Sequence, residues 1–193
     1  MKKFFYDVET TGLDHRKHSI HQISAGIEID DKVVEVVDIK VRPYEKAEIT
    51  DEALKVGGIT KEDLLSRDKS FTEGYEQILA LLNTYVDQYN KRDKFFLIGY
   101  NNLHFDNDFF RAMFELHDNN YFGSYFFSGS MDVYALAAEY LAERRYRMRD
   151  FKQGTVAEEL GIEVDDSKLH DALYDVGLTR EIYKIVTGRE EEI

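Results

Sequence analysis

A chain of 193 residues, 43% of them hydrophobic, is long enough to bury one full core, and its formal net charge of −13 argues against a general duplex-binding surface. Zero cysteines exclude a disulfide framework and cysteine-based zinc sites, and suit a reducing cytoplasm. One proline, no low-complexity tract and no run near the ~20 apolar residues of a membrane span leave a single domain over residues 1–193 with no membrane contact.

At the start, MKKFFYDVE loses its apolar run at Asp7, far below signal-peptide length, so Lys2 to Val8 reads as a buried strand. Two β-branched runs, 20–30 and 32–41, meet at Asp30-Asp31 and read as a hairpin. Thr50 caps a short helix that Gly57-Gly58 stops. Residues 71–90 place Tyr75, Ile78, Leu79, Leu82 and Val86 on one face of an amphipathic helix. KFFLIGYN, 94–101, is a further strand. Helices are predicted over 106–117, 131–145, 154–161 and 170–186. Strands followed by helices around another strand imply an α/β fold, a mixed sheet flanked by helices.

Acids recur at the ends of these elements. In FFYDVETTG, Asp7 and Glu9 are two apart and so point to one face of a strand, where they repel unless a positive charge sits between them. A polar strand end turning at Gly12 is the plain reading, and a metal site is the sharper one. Asp106 follows the strand that ends near Gly99, and His170 and Asp175 fall together on the predicted last helix, five apart but on one broad face. Four acids and a histidine compose a sensible hydrolytic centre. Hard oxygen ligands suit Mg²⁺ or Mn²⁺ better than zinc, and two such ions about 4 Å apart can hold both oxygens of a phosphodiester displacement.

DVETTG, NNLHFD and HDALYD resemble, in order and spacing, the three motifs of the DnaQ-like superfamily, the DEDDh group of 3′-to-5′ exonucleases. RPYEKAEITDEALKVGGIT and TVAEELGI with LHDALYDVGLTREIYKIVTG resemble the segments between and after them, so the likeness covers nearly the whole chain. The resemblance implies a ribonuclease-H-like fold, a mixed β-sheet of about five strands flanked by α-helices. It implies Asp7, Glu9, Asp106 and Asp175 as ligands of two Mg²⁺ or Mn²⁺ ions, with Asp7 bridging them. His170 would be the general base, a task its unperturbed pKa of about 6.5 suits. Tyr174 stands directly beside Asp175, the wrong spacing for the tyrosine that sibling enzymes use.

Thr10 and Leu13 match positions that meet the 3′-terminal nucleotide, and Asn102 and Phe105 match the family's residues before the second-motif aspartate. Packing is the better reading for Phe105, and Asn102 stays open. Val176 and Gln153 depart from the usual alanine and leucine without touching the expected chemistry. The implied activity releases nucleoside 5′-monophosphates from the 3′ end of single-stranded nucleic acid, DNA favoured. An exoribonuclease and a catalytically idle binding module are the alternatives. A DNA polymerase or repair protein is a compatible partner, although the TGREEEI end leaves little chain to tether one.

Other clusters read more plainly. DVETTG fails as a calcium loop because its twelfth position is His18 rather than glutamate. His15, His18 and His21 are expected to be solvated rather than a zinc site. The basic run ERRYRMRDFK holds Arg144, Arg145, Arg147, Arg149 and Lys152. Cations at a helix C-terminus would complement its dipole, but four arginines in six residues exceed that need and suggest a guide for a nucleic-acid backbone. Most of the 13 tyrosines and 13 phenylalanines should be core, with some free to stack on bases.

Overall fold

The computed structural model describes residues 1–188, so most of the TGREEEI end lies outside the described residues. In chain order the strands are β1 (Lys2–Thr10), β2 (Ile20–Ile29), β3 (Lys32–Lys40), β4 (Phe95–Gly99) and β5 (Met131–Asp132). The helices are α1 (Asp51–Val56), α2 (Lys61–Leu65), α3 (Phe71–Tyr85), α4 (Asp106–Glu115), α5 (Phe122–Tyr125), α6 (Val133–Tyr140), α7 (Gln153–Glu159) and α8 (Ala172–Val186). The strands form one sheet in the order β3-β2-β1-β4-β5. β2 pairs antiparallel with β1 and β3, while β4 runs parallel to β1 and to β5. This is the α/β mixed sheet expected from the sequence.

Local chemistry accounts for the boundaries. Asp30 and Asp31 take φ of 49° and 65°, the two positive values that a tight two-residue hairpin turn needs. Thr50 and Thr60 cap α1 and α2 through their side chains. Ser70 and Glu73 close a reciprocal box at the start of α3, with Glu73 N donating to Ser70 Oγ at 3.2 Å and Ser70 N to Glu73 Oε2 at 2.7 Å. Gly74 lets α3 approach the end of β3, since a Cβ there would stand 2.4 Å from Val41 Cγ1. α3 stops at Tyr85, short of the predicted residue 90, and Asp87–Lys94 form turns.

The strand period divides the molecule into two cores. Phe4, Tyr6 and Val8 face α3 and α4, packing with Ile78, Leu82, Phe109, Phe110 and Phe114. Phe5 faces the other way, toward Ala137, Val156, Ile182 and Tyr183 of α6, α7 and α8. Lys3, Asp7 and Glu9 share the parity of Phe5 and belong to the α8 side. There Glu28 of β2, buried, accepts from Lys3 Nζ and, at 2.7 Å, from Arg180 Nε of α8. This pair of contacts fixes α8 across β1 and β2.

Three expectations are corrected. Residues 131–145 are not one helix: Met131–Asp132 pair with Ile98 and Gly99 as β5, and Asp132 accepts from Tyr134 N at 2.9 Å to start α6. The helix ends at Tyr140, so the arginines lie around a 3₁₀ turn, Arg145–Arg147, rather than on a helix C-terminus. His170 is not on α8. Asp171 caps that helix by accepting from Leu173 N (3.1 Å) and Tyr174 N (3.2 Å), which leaves His170 outside with φ of 69°. His18 and His21 are buried, not solvated, with His15 half-buried. Arg67 donates to the His21 carbonyl, and burial followed by the Arg67 charge lowers the His21 pKa to about 4. Among the described residues no helix is long and apolar enough to cross a membrane.

Candidate active site

The site lies where parallel β1 and β4 end. In open α/β sheets the crevice beyond the carboxyl ends of the strands is the usual place for a ligand. The last β1–β4 pair is Phe5 with Ile98. Beyond it the Val8 amide is met by a side chain: Asp106, first residue of α4, accepts from Val8 N through Oδ1 at 3.3 Å. The second-motif acid is thus tied to the backbone of the strand that carries the first-motif acids.

On the α8 side, Asp7, Glu9 and Asp175 converge, each offering a carboxylate oxygen within 4.8 Å of the other two. Asp175 reaches them because α8 crosses β1 one turn after its N-cap. Its Oδ2 accepts from His170 N at 3.1 Å, while its Oδ1 is buried without a hydrogen-bond partner among the described residues. Asp106 lines the same cleft but stands outside that tight set. The expected four-acid cluster is therefore three acids plus one.

Burial and mutual repulsion raise the affinity of these acids for protons. Desolvation comes first for each. Asp7 is pushed well up, with Asp106, Glu9 and Asp175 adding to the effect of burial. Glu9 rises to about 8 by burial and then by the Asp175 and Asp106 charges. Asp175 rises to about 6, held back by the His170 amide. Asp106 is also raised by burial, against hydrogen bonds from its own amide and that of Val8. Clustered oxygens that resist ionising together, one of them unpartnered, fit a hard divalent cation.

Besides a cleft of about 320 Å³ that joins Glu9 and His170 to His21 and Lys40, two adjoining clefts surround the acids. One, about 400 Å³, is lined by Asp7, Glu9, Asp106, Gln153, His170 and Asp175. The other, about 580 Å³, shares Val8, Glu9 and Phe105 with it and continues along Thr10, Leu13 and Val56. Leu13 is 85% exposed, an apolar side chain presented to whatever enters.

The sequence matches the family described as Exonuclease over residues 4–183. The chain belongs to that family. It shares the fold of E. coli exonuclease I in the zinc-bound complex with single-stranded DNA, with a TM-score of 0.79 and 21% identity over 99% of this chain and 41% of that one. The E. coli exonuclease I complex with a dT13 oligonucleotide gives 0.78 and 20%, over 97% and 41% of the two chains. For the metal-free form of the single-stranded DNA complex the values are 0.76 and 19%, over 98% and 40%. The chain spans about two fifths of the length of these proteins. No curated protein matches it.

In this exonuclease-family chain the remaining candidate residues separate. Thr10 is buried, its Oγ1 donating to the Gly12 carbonyl at 2.8 Å, which shapes the turn that carries Leu13. Asn102 is fully buried and lines neither cleft, with Nδ2 donating to Ser130 Oγ at 3.0 Å and Oδ1 without a hydrogen-bond partner among the described residues. Phe105 rests on Phe109 with ring centroids 5.0 Å apart and still borders both clefts. No side chain caps α4. Arg144, Arg145, Arg147 and Arg149 are all exposed and line neither cleft.

Gln153 reaches the backbone of Asp175, not its carboxylate. Its Nε2 donates to the Asp175 carbonyl at 2.7 Å and to Thr179 Oγ1 at 2.8 Å, and its side chain lines the cleft. Its departure from the leucine usual in the family was the one signal available in the sequence.

Proposed function

We propose that this domain is a divalent-metal-dependent 3′-to-5′ exonuclease that acts in the cytoplasm on single-stranded nucleic acid, DNA favoured, and releases nucleoside 5′-monophosphates. The observation that carries the reading is the convergence of Asp7, Glu9 and Asp175 around an unpartnered buried Asp175 oxygen. Asp7, Glu9, Asp175 and Asp106 would hold Mg²⁺ or Mn²⁺, with two ions the expected complement. Bound there, the metal would neutralise the acids, polarise the scissile phosphate and make a water easier to deprotonate.

The chain's own residues supply the rest. An imidazole nitrogen of His170, exposed at the mouth of the cleft, takes the proton of the attacking water. As the new P–O bond forms, the bond to the 3′ oxygen of the penultimate nucleotide breaks. The strand leaves one nucleotide shorter, its new 3′ oxygen taking a proton from solvent, and the terminal nucleotide departs with a 5′-phosphate. The backbone near Thr10 receives the terminal 3′-hydroxyl, and Leu13 presses against the last bases from the apolar cleft. That second cleft gives the terminal nucleoside a place beside the acids, which favours an exonuclease over an enzyme that cuts within a strand.

End-labelled DNA and RNA oligonucleotides, single- and double-stranded, test this directly with Mg²⁺ or Mn²⁺. Shortening from the 3′ end, with 5′-monophosphates released from single-stranded DNA, is expected. Degradation of RNA alone would reassign the substrate. Failure to cleave either polymer with either metal overturns the activity.

A further inference from the structure

Tyr100 stands between two concavities. Its ring lines the cleft of Asp7, Glu9 and Asp175 and meets Tyr134 edge-on at 5.7 Å. Tyr134 in turn meets Phe151 at 5.1 Å, and the Tyr100 hydroxyl donates to the Phe151 carbonyl at 2.7 Å. On the far side of this aromatic wall, Tyr134, Ala138, Arg145, Met148, Asp150 and Phe151 line a groove of about 290 Å³, where Arg149 at 3.5 Å offsets the Asp150 carboxylate. Lys152 lines the catalytic cleft at one end of the wall, and Arg145 lines the groove at the other.

The basic run is not uniform. Arg144 Nη1 lies 3.5 Å from Glu159, and Arg149 is engaged with Asp150 at 3.5 Å, Glu158 at 3.9 Å and Thr155 Oγ1 at 2.8 Å. Arg145, Arg147 and Lys152 have no carboxylate within ion-pair distance among the described residues. Arg147 instead lies over the Tyr146 ring at 5.1 Å, and its Nε hydrogen-bonds to the Tyr146 hydroxyl at 2.8 Å. Tyr146 is 70% exposed and Tyr134 39%. Unpaired cations beside exposed rings, in a chain of net charge −13, match a ligand that alternates phosphates with flat bases. The groove's volume is enough for one unstacked base.

We propose that the segment from α6 to α7 is a second binding site for the single strand, upstream of the bond to be cut. One unstacked base lies on Tyr134 in the groove, flanking phosphates meet Arg145 and Arg147, and Lys152 leads the backbone into the catalytic cleft. The inference rests on the exonuclease reading for the direction of the strand. It narrows the expected guide of four arginines to the two that the fold leaves unpaired.

Fluorescence anisotropy with 5′-labelled oligothymidylates of about 4 and about 15 nucleotides, the span of known single-strand site sizes, reads this site in the presence of chelator. Tyr134→Ala should weaken the long oligonucleotide by about 5- to 150-fold, the usual effect of losing one stacked base, and leave the short one unaffected. Tyr134→Phe should restore the long-strand affinity. Arg145→Gln/Arg147→Gln, exposed and harmless to the fold, should flatten the plot of log Kd against log salt by about 1.4, or about 0.7 per phosphate. Arg144→Gln/Arg149→Gln removes the same charge from paired side chains and should flatten it less.

Equal losses on both lengths, no loss on either, or equal flattening by the two arginine pairs overturns the proposal and assigns the segment to the fold or to a protein partner. Cleavage with Mg²⁺, followed separately, keeps the two readings apart. A protein that needs Tyr134 for long strands but cleaves nothing retains this site and loses the exonuclease. One that cleaves while Tyr134→Ala binds normally does the reverse.

Discussion

The two faces of β1 belong to different kinds of protein. Toward α3 and α4, Phe4, Tyr6 and Val8 enter a core crowded with aromatic rings, where Phe4, Phe110 and Phe126 pack at 5.4 to 6.0 Å. Toward α8, the alternate residues Lys3, Asp7 and Glu9 carry charge, and β2 continues the pattern with Gln22, Ser24 and Glu28. Only Phe5 and the glycine at position 26, against which Val176 packs, give that side of β1 and β2 an apolar centre. One face holds the molecule together, and the other holds unlike and like charges at fixed positions. The like charges are left for a ligand to neutralise, whereas Glu28 is shared between Lys3 and Arg180, and Asp31 gives Lys3 a second carboxylate.

That contrast predicts opposite responses to substitution. Asp7→Asn should abolish cleavage, because even an outer partner of a metal ligand commonly contributes 10- to 100-fold (about one to two orders of magnitude) to affinity or activity. The same change removes a carboxylate that its neighbours repel, so the metal-free protein should melt higher, not lower. Oligonucleotide assays and thermal melts check both halves. A variant that cleaves like the parent would remove Asp7 from the site.

His170→Asn should reduce turnover by about 10²- to 10⁴-fold, the usual share of general-base catalysis. Asparagine tolerates the positive φ at this position better than alanine, and the side chain is exposed, so stability should stay within about 0.5 kcal/mol. A full rate for this variant means that another group takes the proton.

The stability of the two faces can be compared directly. Phe110→Ala empties part of the aromatic core and should cost about 3–5 kcal/mol. At about 2–4 °C per kcal/mol for a chain of this size, the melting temperature falls by roughly 6–20 °C. Glu28→Ala should cost a similar amount, about 3–5 kcal/mol, for a different reason: it leaves the buried Lys3 with only the exposed Asp31 as counter-charge. Replacing Lys3 and Glu28 together by apolar residues should recover much of that loss, whereas no second substitution nearby should rescue Phe110→Ala. Denaturant melts of the single and double variants decide it.

Much of this arrangement is legible in the sequence because it follows short-range rules. Period two put Asp7 and Glu9 on one face, Asp30-Asp31 marked the hairpin, and Thr50 marked a cap. What escaped the sequence is long-range or very short. Two residues of β5 are too few to show a period, and Asp132 gave a helix signal that concealed them. His170 misled because an apolar-periodic segment carries no mark of its first turn beyond the cap, and Asp171 rather than the histidine is that cap. Gln153 contacts Asp175 across 22 positions, and Arg149 meets Glu158 through a turn, so neither pairing leaves a local signature. The salt bridge from Glu28 to Arg180 spans most of the chain and was not foreseen.

The smallest predicted effect is the dependence of stability on pH. Glu9 and Asp175 rise to about 8 and about 6 in the folded protein, against about 4 for such groups in an unfolded chain. Over that interval the native state binds more protons than the unfolded state, so unfolding free energy falls as pH rises. Without divalent metal, the melting temperature should therefore be highest near pH 5 and drop by several degrees toward pH 8, the reverse of a protein whose acids are salt-bridged. Adding Mg²⁺ or Mn²⁺ should flatten or invert the slope, because the ion binds the ionised acids of the folded state and stabilises it by mass action. Asp175→Asn should flatten the metal-free slope as well, by removing one titrating group and relieving Glu9. Phe110→Ala, on the other face, should lower the whole curve without changing its shape. A metal-free protein whose stability climbs from pH 5 to pH 8 would mean that the three acids are already neutralised by something within the chain, and the cluster would lose its claim to a cation.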